Sequence, residues 1–210
     1  MTPGDSTPED GTLQSTASQF AQAMDRVSDQ SVQLQEIPNL TLIRIEIDPN
    51  SRAAVRLQKV LGVSFPRHAG EVTGDRRAMQ VLYSTRQIVA CLWVHDDIFL
   101  VVSRVDHVKL GRALDSALGT DKGLILDVSW NRSVIELSGP DAADVLSRSV
   151  SVEEVPEYFD VGMALRANVA DSELMLWRVD TDQYLLVPRS SHTGSVMATM
   201  FDAIYEVKES

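Results

Sequence analysis

The stretch CLWVHDDIFLVV, Cys91–Val102, and the later stretch MLWRVDTDQYLLV, Met175–Val187, read as one unit written twice. Each opens with a Leu-Trp strand and turns through polar, acidic residues: His95, Asp96 and Asp97 in the first copy, Asp180, Thr181 and Asp182 in the second. Each then returns through an aromatic residue and a run of aliphatic ones. Aromatic and β-branched residues on both sides of a short polar break predict a β-hairpin. An amphipathic segment follows each hairpin, from about His107 to Leu118 and from about Ser191 to Tyr205, so each unit predicts hairpin plus helix. Acidic turns and aromatic strands also coincide by chance. Read as a duplication, the pair predicts an α+β fold of two similar hairpin-plus-helix halves, each sheet covered on one face by helices. Trp93 and Trp177 then read as matching core anchors rather than as a ligand platform. The second copy carries one extra residue between its aromatics: Trp177 to Tyr184, against Trp93 to Phe99.

Working outward towards the N-terminus, Ile43, Ile45 and Ile47 alternate with Arg44 and Glu46, the period of a strand with one buried face. A helix follows, capped by Asn50 or Ser51, with Ala54, Leu57, Val60 and Leu61 as its apolar stripe and Gly62 and Pro66 to end it. Arg67 to Arg77 reads as an exposed connection. Residues 1–30 are rich in Thr, Ser, Asp, Gln, Pro and Gly, which predicts a tail that is disordered or ordered by a partner. Phe20, Ala23, Met24 and Val27 give that tail one amphipathic segment at helical spacing. The expected organisation is the tail over 1–30, a first α+β half over 31–120 and a second over 121–210, the halves packed as one domain.

Between the two units lies GLILDVSWNRSVIELSGPDAADVLSR, Gly123–Arg148, which predicts strand, turn, strand and capped helix. Ser138 or Gly139 is placed to cap, Pro140 at the first helical position where its missing N–H costs nothing, and Asp141 and Asp144 near the positive helix end. Ala142, Val145 and Leu146 face the core. Asp127 and Arg132 flank the turn, where an ion pair or turn bond setting hairpin register is the expected role.

With 210 residues and 44% hydrophobic composition, the chain can bury a core without disulfides or metal. A net charge of −11 excludes non-specific attraction to nucleic acid or to an anionic membrane. No apolar run approaches the roughly 20 residues needed to span a bilayer, and the N-terminus has no basic and hydrophobic leader, so the expected location is the cytoplasm. Cys91 is the single cysteine and sits in an apolar run. His68, His95, His107 and His192 have no metal-ligand spacing, and no phosphate loop or nucleophile elbow is present.

Asp127, Val128 and Ser129, followed by Ser138, Gly139, Pro140, Asp141 and Ala142, resemble the segment that opens the folate-binding domain of aminomethyltransferases and their relatives. Arg132, Arg189 with Ser190, and the Leu61, Gly62, Pro66 pattern tilt the resemblance towards the gamma subunits of heterotetrameric sarcosine oxidases, over about Val32 to Val207. The resemblance implies a folate-binding-domain-like fold in a non-catalytic subunit. Its partners would be alpha, beta and delta subunits, and those subunits, not this chain, would hold FAD, FMN, NAD, tetrahydrofolate and zinc. The runner-up is a stand-alone folate-binding protein or aminomethyltransferase. Against that runner-up, the Gly-rich hairpin with paired aspartates of the transferases is replaced by Ala170, Asp171, Ser172 and Glu173. The chain also departs from the gamma pattern at His95 to Phe99 and at Ala164 to Ala167, which marks it as divergent and leaves the amine substrate open.

Overall fold

The alternation at Thr41–Glu46 sets the architecture. In the computed structural model, which describes residues 15–74, 89–151 and 158–210, this segment is strand β2. Ile43 and Ile45 point to one face, against helices; Leu42 and Arg44 point to the other, towards a second sheet. Residues 1–14, at the start of the expected tail, and 75–77, at the end of the expected connection, lie outside the described residues.

Two five-stranded antiparallel sheets result. The first contains β3 (Val72–Gly74), β4 (Val89–His95), β5 (Ile98–Ser103), β2 and β6 (Leu124–Asp127), in that order. The second runs β8 (Ala164–Val169), β9 (Ser172–Asp180), β10 (Gln183–Pro188), β7 (Ile135–Ser138) and β1 (Gln33–Glu36). The two orders are the same plan executed twice. Helix α1 (Ala21–Val27), helix α4 (Ala142–Ser149) and helix α5 (Thr193–Lys208) cover the outer face of the second sheet. Helix α2 (Arg52–Leu61) and helix α3 (His107–Leu118) cover the outer face of the first. The inner faces pack on each other through Leu42, Leu92, Leu100, Met175, Trp177 and Leu185, giving four layers, α/β/β/α.

Local chemistry explains the helix ends. Ser51 caps α2 by accepting the Ala54 N–H at 3.1 Å, and Gly62 ends it in the left-handed conformation at φ 72°. Asp106 caps α3 by accepting the Lys109 N–H at 2.9 Å. Cys91 is buried in the first sheet, and burial pushes its thiol pKa far up. Among the described residues, no helix is long and apolar enough to cross a membrane.

Three expectations are corrected. The sheets do not divide at residue 120: β6 completes the first sheet, while β1, from the start of the chain, supplies the matching edge of the second. In the first half that edge strand follows the helix α3, whereas in the second it is β1, which precedes the whole sheet in sequence and pairs with β7. Second, residues 15–30 are not a tail awaiting a partner, because Ala17, Met24 and Val27 are buried in this chain's own core. Third, Trp93 and Trp177 are not equivalent. The hairpin turns fall at Asp96–Asp97 and Thr181–Asp182, so Leu92, not Trp93, corresponds to Trp177. The extra residue between the aromatics shifts the tryptophan by one position, and a shift of one moves a side chain to the opposite face. Trp177 is therefore in the core between the sheets, and Trp93 is half-buried on the helix side.

The N-terminal segment is tied to the C-terminus at Asp29. Its carboxylate accepts the amides of Ser31 at 2.8 Å and Val32 at 3.1 Å and pairs with Lys208 Nζ at 2.5 Å, while the same Nζ donates to Val27 O at 2.7 Å. Lys208 first, then the Ser31 and Val32 amides, hold the carboxyl well below the usual carboxylate range. A depressed folded pKa gives stability that is present above the unfolded value, about 3.9, and is lost as pH falls below it. Asp29→Asn is therefore expected to lower the thermal midpoint at pH 7. The gap from the parent protein should shrink steadily below about pH 4; a gap independent of pH would contradict the ionised tie.

Candidate functional site

The motif residues gather where the chain passes from one sheet to the other. Asp127 ends β6, and residues 128–134 cross to β7, so the two strands form no hairpin. A 3-10 turn at Ser129–Asn131 makes the crossing. Its anchor is Leu42 of β2: Leu42 O accepts the Val128 N–H at 2.8 Å, and the Leu42 N–H donates to Ser129 Oγ at 3.0 Å. Ser129 Oγ in turn donates to Asp127 Oδ1 at 2.6 Å, and the Ser129 amide donates to the same oxygen at 3.0 Å.

The other Asp127 oxygen, Oδ2, lies 2.6 Å from His107 Nδ1 at the start of α3. Burial pushes the Asp127 carboxyl up, but the Ser129 hydroxyl and amide and the His107 ring outweigh it and hold it below its ordinary value. Trp130, 55% exposed, meets the His107 ring edge-on at 5.8 Å. In this Ser-Asp-His arrangement the carboxylate sits between hydroxyl and imidazole. A nucleophile relay instead needs the imidazole in the middle, so the geometry fits a tie holding sheet, crossing and helix together.

Arg132 does not pair with Asp127, contrary to expectation. It forms an isolated bridge with Arg189, donates from Nη1 to Val187 O at 3.2 Å, and faces Arg44 and Arg189. Because β6 and β7 belong to different sheets, the turn between them cannot bring the pair together. Ser138 and Gly139 do not cap the next helix either. Asp141 is the N-cap residue of α4, Pro140 lies one residue before it, and Ser138 Oγ donates to Glu136 Oε1 at 3.2 Å. Glu136, only 5% exposed, also accepts from Gln35 Nε2 at 3.2 Å.

Gly139 serves a different purpose. Its φ of 115° suits glycine, and a Cβ there would stand 2.4 Å from Ser31 O. The glycine lets the β7–α4 turn lie directly against the N-terminal segment, where the Asp141 N–H donates to Ser31 O at 3.1 Å.

Asp171 and Glu173, the carboxylates left in the shortened connection, fall in different elements, Asp171 in the turn and Glu173 in β9. Ala170 and Asp171 form a two-residue turn with φ of 50° and 60°, closing β8 onto β9 at the Val169–Ser172 pair. Glu173 pairs with Arg166 Nη1 at 3.5 Å. Sequence reasoning missed His107, twenty residues before Asp127, and Arg44, whose only signal was sharing a strand face with Leu42.

A duplicated, four-layer α/β/β/α domain of this topology has the fold of the aminomethyltransferase folate-binding type. The glycine-cleavage aminomethyltransferase T from Bartonella henselae has the same fold, with a TM-score of 0.59 at 12% identity over 85% of this chain and 47% of that one. The chain belongs to the sarcosine oxidase, gamma subunit family, which it matches over residues 47–206. It is 33% identical to the sarcosine oxidase subunit gamma of Corynebacterium sp. (strain P-1) over 91% of this chain and 90% of the relative. It is 32% identical to the subunit gamma of Arthrobacter sp. over 91% and 90%. Among solved structures, a chain of the heterotetrameric sarcosine oxidase from Corynebacterium sp. U-96 superposes with a TM-score of 0.81 at 31% identity, covering 92% of this chain and 95% of that one.

Proposed function

We propose that this chain is a non-catalytic gamma subunit that assembles and stabilises a heterotetrameric oxidase acting on sarcosine or a related N-methyl amine. The observation carrying this reading is the superposition on a chain of a heterotetrameric sarcosine oxidase, which covers 92% of this chain and 95% of that one. The partners are alpha, beta and delta subunits, FAD, FMN, NAD, tetrahydrofolate and zinc belong to them, and the complex is cytoplasmic.

The surface supports the same reading. Strand β6 is an edge of its sheet, and Leu124 and Leu126 project from one face of it at 44% and 46% exposure. An edge strand with one exposed apolar face invites pairing unless something covers it, and a permanent subunit interface of roughly 2,000 Å² or more would do so. A tail-mediated adaptor role is disfavoured, since Met24 and Val27 are already engaged within the chain.

Co-expression with the FAD subunit, the folate-domain subunit and the small Cys/His-rich subunit proposed as its partners tests the proposal. All four should elute as one species, and leaving this chain out should leave the others incompletely assembled. A stable, monodisperse monomer that ignores the other subunits would sink the reading. Stoichiometric binding of tetrahydrofolate to the isolated chain would favour the stand-alone alternative.

A further inference from the structure

We infer that the arginine-lined cleft at the seam between the two sheets is a binding site for a carboxylate group on a small carbon skeleton. Arg44 reaches it from β2, Arg166 from β8, and Arg132 and Arg189 from the bridge beside the crossing; Glu173 is the one carboxylate in the lining. Four guanidinium groups thus line the cleft; Glu173 pairs with Arg166 and, outside the lining, Glu46 pairs with Arg44 Nη2 at 2.7 Å, which leaves Arg132 and Arg189 without an ion pair among the described residues. Such convergence is costly: burial first, then Arg189 and Arg44, lower the pKa of Arg132 despite the opposing effect of Glu173. Arg44 Nε is buried with no hydrogen-bond partner among the described residues. Guanidinium forks match the geometry of a carboxylate, and an oxyanion seated among them would supply the missing acceptor and relieve the repulsion.

The size and the lining narrow the ligand class. The cleft holds about 160 Å³, comparable with a handful of waters at about 30 Å³ each, so it admits a small acid or the end of a side chain. Its walls also include Val94, Ile98, Leu100, Leu174 and Met175, apolar surface that suits a carbon skeleton better than a free inorganic oxyanion. The same chemistry is available from a dissolved organic acid or from an acidic side chain of a partner subunit.

The site also follows from the duplication. On β2, Arg44 pairs with Leu100 of β5; on β7, Glu136 pairs with Leu185 of β10, the residue equivalent to Leu100. One plan therefore puts a cation at this position in one half and a carboxylate in the other. Glu136 is already satisfied by Gln35 and Ser138. Arg44 is held by Glu46, so the surplus charge of the cleft lies on Arg132 and Arg189 beside it.

The test is calorimetric titration of the full chain with citrate, with acetate, and with sodium chloride at matched ionic strength. Citrate should bind saturably and more tightly than acetate, and sodium chloride should give no saturable heat. Arg166→Gln and Arg189→Gln, both exposed positions, should each weaken citrate by about tenfold while leaving the circular dichroism and melting cooperativity intact. Glu173→Gln should tighten it several-fold, the opposite sign, by removing the competing carboxylate. Repeating the titration on the assembled complex separates the sources. Retained binding assigns the cleft to a dissolved acid; blocked binding, with R166Q and R189Q complexes dissociating at lower salt, assigns it to a partner's carboxylate. Citrate heats no different from sodium chloride, or unchanged in R166Q and R189Q, would overturn the inference. That outcome leaves the assembly reading untouched, since co-purification is scored separately.

Discussion

Replacing Trp177 with alanine is expected to lower the unfolding free energy by about 3–5 kcal/mol, the range for a large aromatic removed from a close-packed core. Trp177 is 1% exposed and packs between the sheets, opposite Leu185 and among Leu92, Leu100 and Met175. That layer has no helices to collapse into the void, because both of its walls are hydrogen-bonded sheets. Trp93→Ala should cost less, about 1–2 kcal/mol, since Trp93 is half-buried on the helix side near the hairpin end. Trp177→Phe adds a second contrast. The indole N–H of Trp177 has no acceptor among the described residues, so the phenyl ring gives up volume but also removes an unsatisfied donor. It should cost well under half as much as alanine. Urea unfolding of the three variants measures all of this. Equal losses for W177A and W93A would mean that the two tryptophans occupy like faces after all, and the one-residue offset between the halves would be wrong.

That offset marks where the sequence was legible and where it was not. The hairpins at Cys91–Val102 and Met175–Val187 could be read because their pairing is local, set by two short runs and the turn between them. Helices α2 and α3 could be read because Ser51, Gly62 and Leu118 bracket periodic stripes. The pairing of β1 with β7, by contrast, joins residues about a hundred positions apart, and nothing in QLQE at Gln33–Glu36 states which strand it will meet. Its own pattern is polar because the face turned away from the helices, carrying Gln33 and Gln35, lies beside Glu136 and Ser138 rather than in the apolar layer. The motif failed for a related reason. Asp127 and Arg132 are five residues apart and suggest a tight turn, but the chain changes sheets between them. The carboxylate finds His107 and Ser129, and the arginine finds Arg44 and Arg189. The family resemblance carried the fold without this detail, since a motif preserves the spacing of residues and not the identity of their partners.

Gly139→Ala is expected to destabilise the protein by about 3–4 kcal/mol, a large loss for adding one methyl group at a turn. Two causes act together. The φ of 115° is one that L side chains rarely adopt, and the new Cβ would fall 2.4 Å from Ser31 O and 2.9 Å from Ser31 C. The obstruction is backbone, so no rotamer change relieves it; either the β7–α4 turn or the N-terminal segment has to move. Moving the N-terminal segment breaks the Asp141 N–H bond to Ser31 O and pulls on β1, the strand borrowed from the other end of the chain to complete the second sheet. The loss should therefore be local in kind as well as large. In G139A, the β1 amides at Leu34 to Glu36 should exchange hydrogen faster, and protease should cut near Ser28–Ser31 before the remainder unfolds. Gly111→Ala provides the control. Gly111 sits inside α3 with nothing within 4 Å of an added Cβ, so alanine there should stabilise by about 0.5–1 kcal/mol through helix propensity alone. If G139A behaved like G111A, Gly139 would be a turn glycine of no special consequence and the docking of β1 would have to rest elsewhere. If instead it frees β1, Gly139 is the residue that lets the N-terminal segment dock and complete the second sheet.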